Sequence, residues 1–258
     1  MSEDQNQQDQ SKLRDSLRGK LQPLARPWWK PETVEEDGPV TASKFAGTPW
    51  LKTADDWPVC PNCEGPMQMF VQLNTADLPA ALAGHFGTGL IQVFYCTNDD
   101  PLCEDDCEAY FPFSKAVIAR RVEIEGESAV ATLPDGAFPA RQITGWQQMD
   151  NELPGMSESE TWCQEQGLPL SEAESEALWA RENYEQFSSS LGDKVGGWPH
   201  WIQGPEYPGC PQCGTAMQMV IQIDSEDHLP YMFGDVGCAH LTQCPEHKDV
   251  LAFAWACG

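Results

Sequence analysis

The chain has 258 residues, enough to bury a substantial core in one large or two smaller domains. Forty Asp and Glu against fifteen Lys and Arg give a formal charge of −25, which makes nucleic acid a poor electrostatic partner and a cationic protein a better one. No run of about 18 apolar residues and no signal-peptide core occurs, so a cytoplasmic chain without membrane contact is expected.

Residues 1–27 are polar and poor in aromatic side chains; they read as a disordered N-terminal arm, with a short helix around Leu13–Leu21 as their one periodic feature. Residues 28–125 read as a first β module. It holds a Cys60-Pro-Asn-Cys63 knuckle, a strand over Met67–Asn74, a loop or helix around Ala76–Ala83, a strand over Leu90–Cys96 and a further strand after Tyr110. In the first of these strands Met67, Met69, Val71 and Leu73 alternate with Gln68 and Gln72, the period of a half-buried strand. Phe70 interrupts the polar face, which implies that part of this face is covered as well.

Residues 126–195 read as an acidic connecting region. Between Glu123 and Asp193 stand fifteen acidic side chains against Arg141 and Arg181 alone. Ser171-Glu-Ala-Glu174 carries the capping-box pattern, and Leu178, Trp179, Tyr184 and Phe187 follow at partly helical spacing, predicting a helix of about four turns.

Residues 196–258 repeat the first module. Cys210-Pro-Gln-Cys213 and the strand Met217–Ile223 stand 150 residues after Cys60-Pro-Asn-Cys63 and Met67–Leu73, with Gln222 and Val220 at the places of Gln72 and Phe70. The two Gln side chains are expected to bond to backbone at the edge of the core rather than to read a ligand. Gly196-Gly197-Trp198-Pro199 suits a tight backbone approach beside a buried aromatic wedge. The expected fold is β-rich α+β, an internally duplicated module in which each half has antiparallel strands and a zinc knuckle.

Eleven cysteines, an odd number, with two Cys-x-x-Cys pairs and no secretory signal, point to reduced thiols on metal rather than to a disulfide framework. Zinc prefers four soft or borderline ligands in a tetrahedron, and a Cys-x-x-Cys turn supplies two. In the second half thirty residues separate Cys213 from Cys244-Pro-Glu-His247, so Cys210, Cys213, Cys244 and His247 form the sharpest assignment. In the first half Cys96 takes the place of Cys244, no histidine follows, and Cys103 and Cys107 compete for the fourth place. Cys103 closes the shorter loop, an advantage of a few tenths of a kcal/mol. Two closed structural zinc sites follow. The other histidines, His85, His200, His228 and His240, read as ordinary loop or core residues, and Cys163, Cys238 and Cys257 lie in no activating motif.

Gly196-Gly197-Trp198-Pro199-x-Trp201-Ile202-Gln203, Cys210-Pro211-x-Cys213-Gly214, the Met217 to Asp224 strand and Gly234-Asp235-x-Gly237 resemble the bacterial YwqG-like family. Trp57–Arg121 resembles the related domain of eukaryotic programmed cell death protein 2. The resemblance implies an internally duplicated β-rich fold without established enzymatic activity. It also implies a role in binding another protein, as a dedicated chaperone or as an immunity protein. The resulting expectation is a zinc-binding protein-interaction module, non-enzymatic, that holds a protein client, a basic one by charge, through the acidic central surface and the groove between the halves. The alternative is a zinc- or thiol-dependent enzyme.

Overall fold

The two period-2 segments form strands, and every other strand is arranged around them. The computed structural model describes residues 3–53, 57–129 and 132–258. Among these, the strands are β1 (Trp28–Val34), β2 (Lys44–Phe45), β3 (Gln68–Asn74), β4 (Leu90–Tyr95), β5 (Val117–Val122), β6 (Arg141–Gln148), β7 (Val195–Gly196), β8 (Gln218–Asp224), β9 (Cys238–Gln243) and β10 (Leu251–Ala256). The helices are α1 (Glu3–Leu21), α2 (Cys103–Asp106), α3 (Met156–Glu165) and α4 (Glu172–Trp179). One sheet runs β5-β4-β3-β2-β6-β1-β7 and a second runs β10-β9-β8, with all pairings antiparallel.

The two sheets meet at both ends. Lys194 and Gln222 exchange backbone bonds of 3.1 and 2.9 Å, which joins β7 to β8, and the Trp255 amide donates to the Tyr110 carbonyl at 3.2 Å. The strand order therefore reads the same from either end: β2-β3-β4-β5 in the first half, β7-β8-β9-β10 in the second, and the β6–β1 pair between them. Even the irregularities repeat, since β3 bulges between Met69 and Val71 and β8 between Met219 and Ile221.

One core serves both halves. Phe70 stacks on Tyr95 at 4.8 Å and meets Tyr231, Phe233 and Phe253 of the second half at 5.0, 6.0 and 6.3 Å. Residues 28–125 and 196–258 are thus two repeats of one body rather than two modules with separate cores. Residues 126–195 are more than a connection, because they contribute β6 to the middle of the first sheet. Its Ile143 is buried, while neighbouring Gln142 and Thr144 are more exposed.

The N-terminal segment differs most from its expected disorder. α1 places Leu17 and Leu21, one turn apart, against Ala177, Leu178, Phe187 and Trp198, and Leu24 joins them. The short helix expected around Leu13–Leu21 is present, begins earlier, at Glu3, and is docked rather than free. Ser16 Oγ and Lys20 Nζ fix the helix by donating to Glu174 at 2.8 and 2.7 Å.

Glu174 also closes the capping box with Ser171, as its spacing predicts. Its desolvation would raise the pKa, but the bonds from Lys20, Ser171 and Ser16 outweigh it and push the carboxyl down to about 2. The helix that follows is shorter than predicted, because α4 ends at Trp179 and Ala180 turns to an extended conformation. Leu178 and Phe187 are buried but Trp179 is 52% exposed, so one continuous helical stripe is not what buries them. The Tyr184 side chain lies outside the described part.

Candidate metal centres

Each knuckle is built the same way. The Cys60 amide donates to Gly65 O at 2.8 Å, the Glu64 amide to Cys60 O at 2.8 Å, and the Met67 amide to Pro58 O at 2.9 Å. In the second half the bonds run Cys210 to Thr215, Gly214 to Cys210 and Met217 to Pro208, at 2.9, 2.8 and 2.9 Å. The turn requires a left-handed residue after its second cysteine: Gly214 has φ 74°, whereas in the first half Glu64 takes φ 59°. The strand that leaves each knuckle is anchored in the core, so the two thiols are held at a fixed place on its end.

The returning chain supplies the other two groups. β4 ends at Tyr95, so Cys96 stands one residue beyond it, and the short α2 begins at Cys103. Cys60, Cys63, Cys96 and Cys103 have their sulfurs within 4.8 Å of one another. Two of the separations are 3.9 Å (Cys60–Cys103) and 3.7 Å (Cys63–Cys96). β9 delivers Cys244 in the same manner, and the turn after it brings round His247. Cys213 and Cys244 are 3.7 Å apart, and His247 Nδ1 lies 3.8 and 3.7 Å from Cys210 and Cys244.

These spacings can be compared with a metal's demand. Sulfurs bound tetrahedrally to zinc at about 2.3 Å stand about 3.8 Å apart. The sulfur–sulfur and sulfur–nitrogen separations of 3.7 to 3.9 Å match that spacing, so both groups could hold zinc. Of the two candidates for the fourth place in the first half, Cys103 is in the cluster and Cys107 is not. Asn62 Nδ2 donates to the Cys103 sulfur at 3.4 Å, and the Gly65 amide to that of Cys63 at 3.4 Å. In the second half the amides of Gln212 and His247 donate to Cys210 and Cys244 at 3.4 and 3.3 Å. Such donors support thiolate charge. For Cys244, desolvation opposes the thiolate, but the amides of His247 and Glu246 outweigh it and push the pKa down to about 6.

The repeat extends further than the cysteines. Gln72 Oε1 accepts from the Trp50 amide at 2.9 Å, while its Nε2 donates to the carbonyls of Val40 and Ala42 at 2.8 and 2.9 Å. Gln222 does the same with the His200 amide and the carbonyls of Ser190 and Gly192, at 2.7, 3.1 and 2.9 Å. All these partners are 150 residues apart, and both Gln side chains bond to backbone as expected. Lys44 and Lys194, also 150 apart, are both wholly buried. Lys44 pairs with Asp37 and Lys194 with Glu152, each at 2.7 Å. Sequence reading missed this feature, although Lys-x-x-Gly before a proline in both halves (Lys44 to Gly47, Lys194 to Gly197) was a signal for it.

A third group, among the described residues, lies in the second half. Asp193, Asp227 and His228 lie within 4.8 Å of one another, and His228 Nδ1 donates to Asp193 at 2.7 Å. Burial pushes Asp193 up to about 6 against the pull of His228. The other histidines keep structural surroundings: burial lowers the pKa of His200 and takes that of His240 to about 3. Cys238 lies 3.8 Å from His240 Nε2, but burial drives its thiol well above the ordinary value. That is the reverse of an activated cysteine–histidine pair. Cys163 is also buried, with its thiol raised by desolvation.

Among the described residues no helix is long and apolar enough to cross a membrane. A family model described as "Domain of unknown function (DUF1963)" matches residues 43–250, a span that opens at the start of the first repeat and takes in both clusters. No curated protein matches the chain.

Proposed function

The chain belongs to the DUF1963 family, and on that premise we propose that it is a zinc-binding protein-interaction module, not an enzyme, that holds a protein client in the cytoplasm as a chaperone or inhibitor. The observation that carries this reading is the pair of four-ligand clusters, Cys60, Cys63, Cys96, Cys103 and Cys210, Cys213, Cys244, His247. Each has a full tetrahedral donor set and no protein-free position for a reacting water, the mark of a structural rather than a catalytic zinc. Zinc bound there would cross-link each knuckle to the strand beside it, and its chemistry would be confined to that.

The client's chemistry follows from charge. A surface of formal charge −25 attracts cationic segments over about a Debye length, and buried apolar contacts then hold them. The resemblance to YwqG-like proteins and to programmed cell death protein 2 supports the same class of function.

Metal analysis with thiol titration tests the zinc part: two zinc ions per chain are expected, with the four cysteines outside the clusters left to titrate. Chains without metal, whose knuckle pairs oxidise readily, would favour a thiol enzyme instead. Capture of partners from lysate at low and at high salt tests the client part. One basic protein, released as salt rises, is expected; retention indifferent to salt would remove the electrostatic half of the proposal.

A further inference from the structure

The two halves differ at one face of the repeat. In the first half the segment entering β6 crosses the start of β3. Gln68 reads that segment's backbone with both ends of its amide, Nε2 donating to Gly136 O and Oε1 accepting from the Phe138 amide, each at 3.2 Å. Phe138 packs toward Phe70 and Tyr231, at 6.0 and 6.3 Å between centroids. Met69 beneath is 2% exposed.

The same place in the second half is open. β1 there corresponds to β6, since Val195 pairs with Trp29 as Phe45 pairs with Arg141. Three residues earlier, Arg26 stands where Phe138 would. The backbone is diverted before it reaches β8: the Arg26 amide donates to Glu152 O at 3.0 Å, and Trp198 Nε1 holds Leu24 O at 2.8 Å. The Arg26 guanidinium carbon itself lies over the Trp198 ring, 3.3 Å from its centroid. What remains is a groove of about 580 Å³ walled by Trp29, Phe86, Trp198 and Met219. Gln218, the counterpart of Gln68, is exposed on its floor, and Met219 is less covered than Met69. Gln218 Oε1 meets His85 at 2.9 Å, while its Nε2 has no partner among the described residues.

We infer that this groove docks an extended polypeptide segment of a partner, with an aromatic side chain in the place that Phe138 fills in the first half and its backbone read by Gln218. Arg26 and Glu158 both line the groove and their charges act on each other, so the groove's own carboxylate offsets the guanidinium and the geometry sets no charge on the segment. The first half's own segment, Asp135-Gly136-Ala137-Phe138, carries the aromatic side chain that the groove takes. The inference deepens the protein-client reading by naming the short-range anchor, which is distinct from the long-range attraction of the acidic surface.

The test uses a fluorescent peptide of residues 133–140, Leu-Pro-Asp-Gly-Ala-Phe-Pro-Ala, titrated with the zinc-loaded full chain and read by anisotropy. Saturable binding is expected. Ala in place of the peptide's Phe should weaken it about tenfold or more, as loss of a buried aromatic ring does. In the protein, Gln218→Ala should weaken binding and Gln68→Ala should leave it unchanged. No saturation by about 1 mM, well above the micromolar range of specific segments, overturns the inference. So does binding that Gln68→Ala abolishes and Gln218→Ala spares, since the peptide would then be displacing the chain's own segment. Either failure leaves salt-dependent capture of a client untouched, so the two readings can fall separately.

Discussion

The first half holds Lys44 against Asp37, whose carboxylate is 38% exposed, and the second holds Lys194 against Glu152, which is 4% exposed. Glu152 also accepts from the amides of Trp198 and Ser190, each at 2.7 Å, and Asp37 from that of Thr48 at 3.1 Å. The job is the same in both halves: a buried ammonium and a turn amide need one carboxylate. The carboxylates come from unrelated points of the chain, 7 residues before Lys44 and 42 before Lys194. What repeats is therefore the demand of the fold, and what differs is how the rest of the chain meets it. Positions that demand alike, such as Gln72 and Gln222, are scaffold. Positions that differ, such as Gln68 with its segment and Gln218 without one, are where a half is free to do something else.

The largest expected break in this likeness concerns the clusters. Cys60, Cys96 and Cys103 are all buried, whereas Cys213 is exposed. Under a chromogenic chelator the second cluster should lose zinc first, in a fast phase of one ion followed by a slow phase of the other. Removing both should cost most of the folding energy, since structural zinc contributes on the order of 10 kcal/mol. Release in a single phase would make the two sites equivalent.

The buried pairs come next. Lys194→Met leaves the enclosed Glu152 carboxylate without its counter-charge and should cost about 3–5 kcal/mol. Lys44→Met leaves Asp37, which can turn to water, and should cost about 1–2 kcal/mol by the same reasoning. Urea denaturation of the two variants measures the difference, and equal losses would mean that exposure of the carboxylate does not set the cost.

Much of this arrangement was legible in the sequence, and the limits of legibility have physical causes. Met67 to Leu73 and Met217 to Ile223 announced β3 and β8 because a strand with one face on the core must alternate. The ligand spacing announced both clusters because a tetrahedron needs two near and two returning groups. α1 was legible only as a short helix around Leu13–Leu21, because residues 3–12 are all polar, and its docking was not legible, because Leu17 and Leu21 alone of its described residues join the buried cluster. β6 was obscure because its region drew attention by charge, while Ile143 alone of its residues is buried, too little for a period-2 signal. The carboxylates for Lys44 and Lys194 could not be read at all, since neither stands at the repeat distance.

A third difference is the His228–Asp193 pair, where the first half has Leu78 and Ser43. Ser43 Oγ accepts from the Asn74 amide at 2.9 Å, and Asp193 Oδ1 from the Asp224 amide at 2.7 Å, so a hydroxyl suffices for the scaffold. Asp193 is raised to about 6 by burial, and His228 is raised by its bond to Asp193 despite desolvation. Both folded pKa values lie above their unfolded ones. The stability they contribute is therefore fullest below about pH 4 and is lost as pH rises through about 6 and beyond the ordinary histidine range. The double variant Asp193→Ser, His228→Leu, which copies the first half, should flatten the stability profile between pH 4 and 7, relative to the parent, by about 1–2 kcal/mol. Parallel profiles would assign the dependence elsewhere.

The smallest effect lies in the knuckles. Glu64 sits at φ 59° where the second half has Gly214 at φ 74°. A side chain with a Cβ is strained there by about 1 kcal/mol, and glycine is not. Glycine also loosens the unfolded chain, which offsets part of the relief. Glu64→Gly should thus stabilise the first knuckle by a few tenths of a kcal/mol and slow its zinc loss slightly, bringing the two halves closer in backbone while leaving their ligands different. If the variant were instead destabilised, the Glu64 side chain would have to hold a contact that its exposed position does not suggest, and the knuckles would differ in more than their turn residue.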